Sequence, residues 1–72
     1  MAIVTAEINA SIWQVLVAVG DTVRADDEIM ILESMKMEIP VTAPVDGVVT
    51  SIEAEPGAAV DVGSVLARIE TP

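Results

Sequence analysis

The feature that most restricts this chain is an internal repeat. Aligning its two halves with an offset of 37 residues puts Ile12 on Val49, Val15 on Ile52, Gly20 on Gly57 and Val23 on Val60. Further along, Ile29 falls on Leu66, Leu32 on Ile69 and Glu33 on Glu70. The chain has 72 residues, so the unit occurs twice, and neither copy is large enough to bury its own apolar face. The two copies are therefore expected to supply equivalent elements to one shared core, in a single domain over residues 1–72.

The apolar runs inside each copy are short. They lie at Ile3-Val4, Ile12 to Val19, Ile29 to Leu32, Ile39 to Val41, Val48 to Ile52 and Val65 to Ile69. Gly20-Asp21, Asp26-Asp27 and Pro56-Gly57 punctuate them, and short runs bounded by such residues read as strands. Val and Ile dominate the apolar fraction, and β-branched side chains pack better on a pleated surface than on a helix. The one stretch with helix formers, Val23 to Met37, lacks a 3.6-residue apolar stripe. The fold class predicted is all-β. Ile12 to Val15 and Val49 to Ile52 break strict alternation at matching places, which predicts a bulge or bend in each copy.

Composition then excludes several functions. Without cysteine or histidine the chain has no disulfide staple, no imidazole proton shuttle and no thiol nucleophile. No clustered oxygen-ligand loop for a hard cation is visible, so no catalytic and no metal site is expected. The net charge is −9, and Arg24, Lys36 and Arg68 are the only cationic side chains. Phosphate backbones and anionic membranes both need basic clusters, so neither nucleic acid nor membrane is an expected partner. The N-terminal residues lack a basic region followed by an apolar one, no run approaches a membrane span, and a cytoplasmic protein is expected.

Between the two copies lies Glu33-Ser34-Met35-Lys36-Met37-Glu38, followed by Ile39-Pro40-Val41-Thr42-Ala43-Pro44. Two strands joined by a few polar residues make a hairpin, whose tip here would be Met35-Lys36-Met37. Lys36 is the only lysine. This segment resembles the attachment sequence of the biotinyl/lipoyl domain family, in which Met-Lys-Met surrounds a biotinylated lysine. Gly20-Asp21-x-Val23, Ala43-Pro44-x-x-Gly47-x-Val49 and Gly57-x-x-Val60-x-x-Gly63-x-x-Leu66 extend the likeness from about Glu7 to Ile69. Ala10 and Asp26 stand where the family often has glycine, and Ala58 where aspartate is common. The protruding thumb of some bacterial carriers has no counterpart in the first half.

The resemblance implies a flattened barrel, a barrel-sandwich hybrid of two four-stranded antiparallel sheets related by a pseudo-twofold axis. It implies biotin carried covalently on Lys36 by a biotin carboxyl carrier of the thumbless type. Such a carrier is itself not an enzyme but a subunit or domain of a biotin-dependent carboxylase. It would meet a biotin protein ligase, then a biotin carboxylase, then a carboxyltransferase acting on an acyl-CoA or similar acceptor. Lipoyl domains share the fold, but usually carry Asp or Val before the lysine and Ala after it, so the two methionines favour biotin. A lipoyl carrier and an unmodified barrel serving as an interaction module are the alternatives.

An ordinary solvated lysine at a hairpin tip is the plainer reading of Lys36, and the methionines and the repeat weigh against it. Met35 and Met37 are expected beside the tip, either as flexible partner contacts or as caps on the core end. Glu33 and Glu38 flank the lysine as candidates for partner recognition, against the alternative of a solvated face. Met30, well inside its strand, is expected in the core or in sheet packing. Trp13, the only aromatic residue, is expected to pack on the core or at a sheet edge.

Overall fold

The turn signals in the sequence all fall between strands, and the computed structural model, which describes residues 1–71, contains eight strands. These are β1 (Ala2–Thr5), β2 (Ala10–Val15), β3 (Thr22–Val23) and β4 (Glu28–Ser34) from the first copy. The second copy gives β5 (Met37–Thr42), β6 (Gly47–Ile52), β7 (Ala59–Val60) and β8 (Val65–Glu70). They form two four-stranded antiparallel sheets, ordered β1-β8-β6-β3 and β5-β4-β2-β7. Shifting the first order by four strands gives the second, so the sequence repeat is the pseudo-twofold of the fold. Each sheet takes its two central strands from one copy and its two edge strands from the other.

The symmetry extends to irregularities. Register slips between Ile12 and Gln14 where β2 meets β4, and between Val49 and Ser51 where β6 meets β8. These are the bulges that the broken alternation predicts. Turn hydrogen bonds match as well: the Gly20 amide donates to the Val49 carbonyl and the Gly57 amide to that of Ile12, both at 2.8 Å. The Ala25 amide donates to Asp46 Oδ1 at 2.7 Å, and the Val62 amide to Asn9 Oδ1 at 2.8 Å.

Between the sheets lies one core cluster, with Ile12, Ile29, Met30, Leu32, Val49, Leu66 and Ile69 at its centre, and no polar side chain is buried among the described residues. Met30 is in the core, as expected. Fully burying one such side chain contributes about 1.5–3 kcal/mol, and this burial holds together a domain that has no cross-link.

Three departures from the sequence reading have physical reasons. The run Ile12 to Val19 is too long: β2 ends at Val15, and Leu16 and Val19 are exposed. The chain must leave the sheet after Leu16 so that Gly20 can bond across to Val49 in the other sheet. The two-residue strands β3 and β7 make no apolar run, because two residues are too few to show a period. Trp13 is 44% exposed and packs outside the core cluster, since it is the extra residue of the β2 bulge.

Two family departures are also explained. Asp26 adopts φ 73°, the left-handed conformation that Gly63 adopts in the other copy, and aspartate tolerates it better than most residues. Ala10 pairs with Val60 where its repeat partner Gly47 pairs with Val23. A Cβ on Gly47 would overlap the Glu70 carbonyl oxygen and lie 2.7 Å from Ile69 Cγ2, so glycine is required only in the second copy.

Candidate functional site

Strands β4 and β5 pair from Glu28–Thr42 out to Ser34–Met37, leaving a two-residue turn of Met35 and Lys36. Met37 is the first residue of β5, so the tip is one residue tighter than Met35-Lys36-Met37. Both turn residues have positive φ, 52° at Met35 and 65° at Lys36. That is the primed turn that suits the twist of a hairpin, normally met by Asn-Gly. Without glycine, each L-residue held there costs roughly 1 kcal/mol. Strain of this kind persists where surrounding structure holds it, and it concentrates at functional positions.

The base of the hairpin is held from outside its own strands. Ser34 Oγ donates to the carbonyl oxygen of Asn9 at 3.3 Å, and Asn9 Oδ1 accepts from Val62. Asn9 thereby joins the hairpin to the loop between β7 and β8. Neither Asn9 nor Ser34 was singled out from sequence. The repeat contained the signal, since Asn9 aligns with Asp46 and both accept from equivalent amides.

Lys36 is exposed and, among the described residues, makes no ion pair or side-chain hydrogen bond. Met35 is 91% exposed and Met37 65%, so both are surface residues and neither caps the core. Glu33 and Glu38 are directly opposite each other across the strands and both exposed. Like charges in that arrangement repel, which a partner cation would relieve. The structure thus brings together all five expected site residues: Lys36 and Met35 on the turn, Met37 at its exit, and the two glutamates one pair further down.

β1 ends and β8 begins at this pole, because the Gly63 amide bonds to the Ala6 carbonyl and the Ala6 amide to that of Ser64. Met1 and Thr71 therefore lie at the other pole of a body measuring 36 × 17 × 16 Å. One unencumbered amine displayed on a strained, tethered turn, far from Met1 and Thr71, is the arrangement of a carrier domain that presents an attached group to other proteins.

Comparison with known proteins gives the particular family. The biotin/lipoyl family model, described as "Biotin-requiring enzyme", matches residues 1–69. The biotinylated protein TB7.3 homolog of Mycobacterium leprae is 44% identical over 66 residues, covering 92% of this chain and 93% of that protein. The biotin-dependent acyl-coenzyme A carboxylase alpha3 subunit of the same organism is 46% identical over 67 residues. The match takes in 93% of this chain but only 11% of that subunit. Among solved structures, the urea carboxylase of Kluyveromyces lactis superposes with a TM-score of 0.90 at 35% identity, over 96% of this chain and 6% of that one. The chain belongs to the biotin/lipoyl attachment family and is a biotinyl-type carrier domain with the two-sheet fold of carboxylase biotinyl domains.

Proposed function

We propose that this chain is a biotin carboxyl carrier whose Lys36 holds biotin in amide linkage and serves a biotin-dependent carboxylase. The observation that carries this is Lys36 on its two-residue turn with a methionine on each side. The family embraces both biotin and lipoyl attachment, and the flanking methionines are what favour biotin.

The chemistry asked of the chain is small. A lysine ammonium does not attack a free carboxylate, so a ligase must bring an activated acyl group and accept the proton. The Lys36 amine then attacks the acyl carbon, the amide bond forms and the activating group leaves. For this, Lys36 must be exposed, fixed in direction and free of partners, and the turn and its Ser34–Asn9 tether meet those needs. Biotin held on Lys36 would supply the chemistry of carrying a carboxyl group between two active sites. The domain's part is to keep the arm near both, at an effective concentration well above that of a free cofactor. Met35 and Met37 offer adaptable apolar contacts to successive partners, and Glu33 and Glu38 offer charge to a basic one.

Intact mass of protein produced with an active biotin ligase tests the reading. Wild type gains one biotinyl group and Lys36→Arg gains none; a lipoyl adduct differs in mass, and an unmodified wild type overturns the proposal. Acylation also removes one positive charge from a chain of net charge −9, so the modified form runs faster towards the anode on a native gel.

A further inference from the structure

Two surface clefts differ in their distance from Lys36, and the reach of an attached arm separates them. The larger, about 450 Å³, is lined by Thr22, Val23, Glu70 and Thr71 and lies at the pole away from the hairpin. The smaller, about 260 Å³, opens between β5 and the loop of residues 6–9, with Glu7, Ile8, Leu32, Ile39, Val41 and Thr42 around it. Ile39 and Thr42 are three and six residues from Lys36, or about 10–20 Å along a strand. A biotinyl-lysine arm extends about 14 Å from its Cα to the two-ring head, at ordinary bond lengths. In a body 36 Å long the head therefore reaches the smaller cleft and not the larger.

The smaller cleft is held by the same contacts that hold the hairpin. Its floor is the buried Leu32, with Ile39 and Val41 packed beside it on the core. Side chains alternate along a strand, so Met37, Ile39 and Val41 share one face of β5, and an apolar track runs from the turn into the cleft. Its outer wall, Glu7 and Ile8, is fixed at both ends: the Ala6 amide donates to the Ser64 carbonyl at 2.9 Å, and the Asn9 carbonyl accepts from Ser34 Oγ. The fold itself does not ask for every residue here. Pro44 stands at the repeat position equivalent to Glu7, and Ala2 at that equivalent to Ile39. Among the described residues Glu7 makes no ion pair.

Size and lining then select the occupant. The cleft falls below the roughly 300–1,000 Å³ of sites that hold drug-sized ligands, so it suits a small head group. The biotin head joins an apolar thioether ring to a cyclic urea with N–H donors and one carbonyl acceptor. Ile8, Leu32, Ile39 and Val41 match the ring, the Glu7 carboxylate is an acceptor for an N–H, and the Thr42 hydroxyl is a donor for the carbonyl. A lipoyl head has no donor for Glu7. A free ligand binds so small a site weakly, but a short tether gives millimolar effective concentration, so a dissociation constant of about 1 mM populates it. We propose that the cleft between β5 and residues 6–9 is a resting site for the biotin head carried on Lys36, with Glu7 and Ile8 as its recognition wall. This inference rests on the carrier function above and adds that the arm is parked against its own domain between partners.

The test compares ¹⁵N spectra of apo- and holo-protein, with intact mass establishing the adduct. Changes on biotinylation are expected at the amides of Glu7, Ile8, Ile39, Val41 and Thr42 as well as at the turn. Glu7 and Ile8 lie outside the core cluster, so Glu7→Ala with Ile8→Ala keeps the fold. That double variant is expected to lose the changes in the cleft and keep those at Met35 to Met37. Avidin takes the head only when it is undocked, so it captures the holo double variant about threefold faster than holo wild type. A wild type that gains no biotin refutes the carrier function alone. The cleft is then tested by biotinamide, which at about 1–10 mM is expected to shift the same amides of the apo-protein. Changes confined to Ser34–Glu38, cleft changes that survive the double variant, an equal avidin rate, or no response to biotinamide would overturn the proposal.

Discussion

Lys36 is useful because of the conformation imposed on it and its neighbour, and little in its own chemistry is unusual. Met35 and Lys36 both sit at positive φ, where a hairpin turn would favour Asn-Gly. The identity of Met35 is therefore set against local stability, and replacing it should reveal that. Met35→Asn is expected to raise stability by about 1 kcal/mol, read as a Tm increase of about 4–8 °C in a domain of this size. A second consequence concerns Ser34. Ser34→Ala removes the bond to the Asn9 carbonyl and is expected to speed amide hydrogen exchange at the turn, with global stability falling by about 1 kcal/mol or less. At this scale the sequence was informative: Lys36, Met35, Met37, Glu33 and Glu38 form one cluster because they are contiguous, and a hairpin keeps contiguous residues together. Asn9 was less visible, because it reaches the hairpin from 25 residues away.

Among the elements, the short edge strands and the glycines at their ends decide geometry. Gly47 begins β6 against Val23 of β3, and its missing Cβ makes room for the end of β8. Gly47→Ala is expected to destabilise by 2 kcal/mol or more, measured as the urea midpoint, because the obstructing atoms include backbone. The equivalent position already holds Ala10, so Ala10→Gly should cost about 1 kcal/mol or less. The six longer strands were legible in the apolar runs, and the two bulges in the broken alternation. The end of β2 was not, since Leu16 to Val19 remains apolar while leaving the sheet. Nothing local distinguishes an apolar loop residue from an apolar strand residue; the distinction is made by Gly20 bonding to Val49.

For the whole molecule, the governing fact is that neither sheet belongs to one copy of the repeat. β4 and β2 need β5 and β7 at their edges, and β8 and β6 need β1 and β3. A peptide of residues 1–36 is therefore expected to be unfolded alone, as is one of residues 37–72. Mixing the two should restore strand-type circular dichroism with a concentration-dependent transition. A cooperative transition in either half alone would contradict the interleaved core. The same interleaving puts Met1 and Thr71 at the pole away from Lys36, so a tag at either end should leave the rate of biotinylation unchanged.

Sequence alone determined the repeat, the all-β class, the bulges and the lysine hairpin, because each is written in spacing within about ten residues or in a fixed offset. Tertiary structure decided how the copies exchange edge strands, how Asn9 ties the hairpin, and that Trp13 stays outside the core. Those depend on which side of a strand a residue occupies after a bulge, and on bonds between segments far apart in the chain. A pattern of residue types does not record either of them.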